Sequence, residues 1–384
     1  MVIAGELIVH LGCEGRRVRQ VTVRSTRPMI AARVLTGRTA ADAAGTVPRL
    51  FSICSGAQGA ASATALAAAG ATGEAFDSGN REREVMLEAL QDTFWHLLID
   101  WPNTMGTAPC ATAVATARFQ IASSMRATDG TPRLNDSAAM RELGERLSSV
   151  AAQAIFGMAP AAWLKQDDVA ALHAWSERGE TVPAMLLGHV LSHLPALGRS
   201  TTPLMPPTQA DSLLGTIVPA LRDDIEFSRT PTWTGTAVET GGLARMCSEP
   251  LVAALRERFG NAVVTRVAAR MVELARLLLE LAAVDGPSGL PPRILALPLG
   301  KGEGLAAVET ARGMLLHRAR LVEQRVVDYQ IVAPTEWNFH PGGALVSGLA
   351  DLQADDELQL VASARLAAHA LDPCVAFRVE ADHA

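Results

Sequence analysis

Residues 261–284 hold the longest amphipathic stretch of the chain, and it sets the first constraint on the fold. Val264, Val267, Met271, Leu274, Leu278 and Leu281 recur every three or four residues, the period of one helical face. A helix that long needs other elements packed along it, because most helical stability comes from burying the apolar face.

Other segments supply those elements. Residues 57–72 are Ala-rich and suit a tightly packed helix. Met86, Leu90, Phe94, Leu97 and Trp101 mark a second helix that Pro102 should stop. Met140, Leu143, Leu147 and Val150 mark a third, after a polar Asn135-Asp136-Ser137 start. Residues 5–25 alternate apolar and polar around Gly12 and Gly15, the pattern of a β-hairpin or meander. Residues 288–304 are rich in Pro and Gly and read as a loop with a short strand. The expectation is an α+β, mostly α unit over residues 1–384. It has a small N-terminal β portion (1–30) and a central helical bundle (31–384) that ends on an Asp-Pro-Cys motif.

With 384 residues, 49% of them hydrophobic, a large buried core is affordable. A net charge of −6 and the absence of basic runs argue against nucleic acid or an anionic membrane surface as partner. No apolar run reaches membrane-spanning length, and no secretory h-region opens the chain. Five scattered cysteines (13, 54, 110, 247 and 374) do not resemble a disulfide framework. These features together predict a cytoplasmic protein.

Two cysteines stand in unusual settings. "RLFSICSGAQ" places Phe51 three residues before Cys54, where a Cys-x-x-Cys loop would have its first thiol. "LDPCVAF" mirrors this, with Phe377 three residues after Cys374. Taken alone, each cysteine reads best as a small buried hydrophobe. A thiolate pair drawn from opposite ends of the chain would instead make a soft-metal site. Cys13, Cys110 and Cys247 have no motif partner and read as packing residues. His189 and His193 have a zinc-compatible spacing but no acidic third ligand nearby, so the bland reading is favoured. His317 reads as a core histidine, and His383 as part of a tail.

Five collinear blocks change the weighting. They are "GELIVHLGCEGRRVRQVTVRS" leading to "RLFSICSGAQ", "VETGGLARM" (238–246), "ETARGMLLH" (309–317), "YQIVAPTEWN" (329–338) and "LDPCVAF". In this order they resemble the motifs of [NiFe]-hydrogenase large subunits, and the resemblance implies that fold. In catalytic members four cysteines hold nickel, and two of them bridge to an iron carrying cyanide and carbonyl. By resemblance, Cys54 matches the second cysteine of the first motif and Cys374 the first cysteine of the last, while Phe51 and Phe377 replace the other two. Nickel cannot keep a tetrathiolate site when half its sulfurs are phenyl rings. The histidine after each motif is Gln58 and Glu380 here, and the family's proton-transfer glutamate is Ala32. The chain ends four residues past Glu380, without the C-terminal extension that catalytic members lose to a protease.

What the resemblance leaves suits the iron half. Arg312 matches an arginine that contacts the diatomic ligands, and Thr335 a hydroxyl that hydrogen-bonds a cyanide. Two readings stay open for Arg312: that contact, or a structural ion pair with Glu309 or Glu239. One tension stays open too, because iron in catalytic members uses the second cysteine of both motifs and this chain keeps the first of the last one.

The chain is most similar to the non-catalytic HupK/HoxV-type accessory proteins. That resemblance implies a scaffold for the Fe(CN)2(CO) fragment, with no nickel and no turnover. Its partners would be a HypC/HypD-type maturation complex and the hydrogenase large-subunit precursor. The alternatives are a metal-free structural paralogue, such as the large-subunit homologue of respiratory complex I, or a divergent nickel-dependent hydrogenase.

Overall fold

A computed structural model describes residues 5–51, 53–73, 76, 80–125, 134–224, 226–283 and 290–383. The last residue of the predicted 261–284 helix and residues 288–289 of the predicted loop lie outside them. The long helix runs Val263–Ala282 and is buried along nearly its whole length. Its apolar stripe meets the Ser137–Ala151 helix and the helices of the largest hydrophobic cluster. Asp136 caps that neighbour by accepting the Ala139 amide at 3.0 Å, as the polar start predicts. The predicted helix through Leu90 and Phe94 spans Arg81–Trp95. It does not stop at Pro102: a π-helical turn, His96–Asp100, carries it into a last turn, Trp101–Thr104. Pro102 is tolerated there because the Leu98 carbonyl, one turn back, accepts the Cys110 amide at 2.8 Å in place of an intrahelical donor.

The N-terminal hairpin forms as expected, β1 (Leu7–Glu14) against β2 (Arg17–Ser25), with a bulge at Gly12/Cys13. Reading everything beyond residue 30 as helical core is corrected at two places. Between residues 294 and 332 the chain forms an antiparallel meander: β3 (Ile294–Gly300), β4 (Glu303–Thr310), β5 (Gly313–Val322) and β6 (Arg325–Val332). The C-terminal strand β7 (Phe377–His383) lies parallel to β1, with Leu7 opposite Phe377.

The meander is covered on both faces. Ala306 and Val308 of β4 face the Ala-rich helix Ser55–Ala68, while Leu305 and Ala307 face a cluster built on Phe227 and Trp337. A strand buried on both sides loses the apolar–polar alternation that marks a strand in sequence. The sheet also sets the site, because its β4–β5 turn carries Arg312.

Candidate metal centre

Cys54 is the residue just before the Ser55–Ala68 helix, half-buried beside the exposed Ile53 (51% exposed). The start of that helix is held by Glu88, whose carboxylate oxygens accept the Gly56 and Ala57 amides at 2.7 and 2.9 Å. Anion capture at helix N-terminal amides is favourable. Burial raises the Glu88 carboxyl to about 7, while those amides pull the other way.

One helical turn beyond Glu88, Asp92 accepts from Arg312 at 2.5 Å. Arg312 is buried, and its Nε stands 3.4 Å from Asp372 without a hydrogen bond. Asp372 in turn accepts from Arg270 at 2.8 Å. Burial would raise the Asp372 carboxyl, but Arg312 and Arg270 hold it well below its ordinary range. The Arg312 backbone is fixed as well: Thr310 Oγ1 accepts its amide, and Asn338 donates to its carbonyl.

Two residues past Asp372 lies Cys374, only 9% exposed. Its Sγ is 3.0 Å from Thr335 Oγ1, and its amide donates to the same hydroxyl at 3.3 Å. Cys54 and Cys374, from opposite ends of the chain, lie within electrostatic reach of each other. The Cys54 thiol is pushed up by burial first and by Cys374 second, with Arg312 pulling it down.

Arg312 pairs with Asp92 and Asp372, and not with Glu309 or Glu239, the partners expected of a structural arginine. Glu309 is taken by Arg245 at 2.6 Å, and Glu239 by a two-pronged bond from Arg266. Asp92 and Asp372 are acidic groups inside the candidate centre itself.

Among the described residues, His96, Asp100 and Asp372 also lie within metal-binding reach of one another. A divalent ion there would face Arg270 and Arg312 on the same carboxylate, which disfavours it. His189 and His193 stack at 4.6 Å, and His193 Nδ1 lies 3.1 Å from the His189 carbonyl. His317 is fully buried between Gln58 (2.9 Å) and Tyr329 (2.7 Å), and burial lowers it to about 3, so its ring is neutral.

The hydrogenase expression/formation protein HoxV of Cupriavidus necator is 32% identical over 93% of this chain and 92% of its own length. The chain belongs to the HoxV/HupK family of hydrogenase expression/formation proteins. The HupK of Azotobacter vinelandii is 31% identical, with both chains covered fully. Residues 220–380 match the nickel-dependent hydrogenase family model. A [NiFeSe] hydrogenase variant from Desulfovibrio vulgaris Hildenborough superposes with a TM-score of 0.57 at 16% identity, covering 97% of this chain and 99% of its own. At that identity the likeness speaks for the fold alone, which is that of a hydrogenase and mostly α with some β.

In this HoxV/HupK-family chain the replaced motif positions take up other contacts, and only some of them join the packing. Phe51 joins the Ala-rich cluster, and Phe377 meets the His369 ring edge-to-face at 4.8 Å. Gln58 serves His317. Glu380 pairs with His10 and Arg378 on the N-terminal sheet. Ala32 is exposed in a short helix, Ala31–Leu35. The motif reading missed Glu88, Asp92 and Asp372, and also Arg27 and Glu336. Glu88, Asp92, His96 and Asp100 recur every fourth residue on one helix, a polar stripe legible in the sequence beside the apolar one.

Proposed function

We propose that the chain is a scaffold of hydrogenase maturation that carries the Fe(CN)2(CO) fragment on Cys54 and Cys374 and turns over no substrate. The observation that carries this reading is Cys374 set on the Thr335 hydroxyl, with Cys54 and the buried Arg312 guanidinium within electrostatic reach of it. Family membership supports the maturation role. No helix among the described residues is long and apolar enough to cross a bilayer.

The residues divide the work. Cys374 is the more buried ligand, oriented by Thr335, and Cys54 the half-buried one. On loading, each thiol would release one proton and form one Fe–S bond in place of a bond from iron to the donor, and iron would remain ferrous. Glu88 stands next to the Cys54 loop with a carboxyl able to accept a proton near neutral pH. Arg312 and Thr335 donate to the anionic cyanides, which a dry site makes stronger. Delivery reverses the ligation: cysteines of the large-subunit precursor displace Cys54 first and Cys374 second. A HypC/HypD-type complex is the donor in this scheme. Two thiolates do not make a nickel site, so nickel plays no part.

The test is substitution of each thiol in protein purified without air from a maturation-competent host. Cys54→Ser and Cys374→Ser should each lose iron at least tenfold while keeping the fold, since a neutral hydroxyl poorly replaces a soft thiolate. Cys13→Ser should keep its iron. A Cys374→Ser protein with full iron would refute the two-thiolate cradle.

A further inference from the structure

A second buried arginine is paired beside the Thr335–Cys374 contact. Arg27 donates through Nη1 to Glu336 Oε1 at 2.7 Å, and the side chains are 13% and 9% exposed. Glu336 directly follows Thr335, the residue that holds Cys374. Burial opposes the charge on Arg27, but Glu336 and then Cys374 and Cys54 favour it, so the guanidinium lies within electrostatic reach of both thiols.

The pair differs from the two-pronged buried ion pairs of this protein. Arg266 and Glu239 use both prongs at 2.8 Å, and Arg245 grips Glu273 through two nitrogens. Arg27 and Glu336 use one prong, and Glu336 Oε2 is buried with no hydrogen-bond partner. Buried unsatisfied groups are rare and ask for an explanation. Arg312 Nε, near the same thiols, is unsatisfied too.

The backbone holds Arg27 in place. Pro28 disfavours helical geometry at the residue before it. Gly5 passes so close that a Cβ there would lie 2.4 Å from the Arg27 Cα.

We infer that Arg27 is a second anion-binding guanidinium of the site, with Glu336 as its counter-ion while the site is empty. The ligand class is a metal fragment bearing anionic diatomic ligands, and the inference rests on the scaffold reading. A ferrous dicyanide held by two thiolates carries two negative charges, and no nickel ion balances them here. Arg312 is already shared between Asp92 and Asp372. Arg27, bonded to Glu336 through one nitrogen, is a further buried cation within reach. A carboxylate beside an anionic cargo opposes binding, so Glu336 limits how tightly the cargo is held and keeps it transferable.

The test compares wild type, Arg27→Gln, Arg27→Lys and Glu336→Gln, each purified without air from the maturation-competent host. Iron content, cyanide band positions and thermal midpoints are measured. Arg27→Gln should lose iron at least tenfold and displace the cyanide bands of what remains, and Arg27→Lys should recover most of the iron. Glu336→Gln should lower the midpoint of the empty protein, which leaves Arg27 uncompensated, yet raise iron retention. Opposite effects of the two neutral substitutions on iron are the signature. If Arg27→Gln keeps wild-type iron and unshifted bands, or if both substitutions lose iron in parallel with stability, the pair is structural and the inference fails. A wild type with cyanide bands then leaves the scaffold reading standing, whereas a wild type without them removes both.

Discussion

Glu88 is the residue whose chemistry is most exposed to a simple experiment. Burial raises its carboxyl to about 7 in the folded protein, against an ordinary value of 4.5, despite the opposing amides of Ala57 and Gly56. The folded protein therefore holds that proton more tightly than the unfolded chain. The stability tied to it is complete in acid and is lost as pH rises from about 4.5 through about 7. Replacing Glu88 by Gln removes this dependence while its amide oxygen can still accept one backbone amide. The wild-type-minus-variant difference in urea unfolding energy should fall by roughly 2–4 kcal/mol between pH 5 and pH 8. A constant difference would mean that Glu88 titrates normally. Glu88 was legible in the sequence only as part of a four-residue polar stripe, which names a helix face but not what the face meets. Cys54, Cys374, Arg312 and Thr335 were legible because each lies in a short motif with few conformations. Arg27 and Glu336 were not: one belongs to no motif, and the other lies in a block read only for its Thr335.

The element that positions Cys54 is the Ala-rich helix, docked on the meander through Gly304. A Cβ at Gly304 would lie 2.4 Å from the Ala69 amide and 2.5 Å from the Ala65 carbonyl. Backbone cannot yield that much, so Gly304→Ala should destabilise by roughly 1–3 kcal/mol or more and loosen the Cys54 loop. Gly45 is the control, in the interior of the Ala40–Leu50 helix with nothing within 4 Å of its would-be Cβ. Gly45→Ala should stabilise by about 0.5–1 kcal/mol. Thermal or urea unfolding of both variants checks the pair, and equal effects would contradict the packing described here. The same docking explains why the meander escaped sequence reading. With helices on one face and the Phe227–Trp337 cluster on the other, "EGLAAVET" and "GMLLHRARLV" lack the alternation that signals a strand. The long helix and the N-terminal hairpin each keep their period and were legible from it.

Across the whole molecule, the fold joins its two ends at one place. β7 lies against β1, Cys374 precedes β7 by three residues, and the Cys54 helix packs on the sheet whose β4–β5 turn carries Arg312. Periodicity cannot reveal such a meeting of positions 320 residues apart; only the order of the five blocks pointed to it. The central claim is that this meeting serves an iron fragment and not only the packing of a protein core. Infrared spectroscopy tests it most directly, because metal-bound cyanide and carbonyl absorb where polypeptide does not. Wild-type protein purified without air from a maturation-competent host should show cyanide and carbonyl bands, with substoichiometric iron and no nickel. A spectrum without those bands, from a preparation that still supports hydrogenase maturation, would contradict the account.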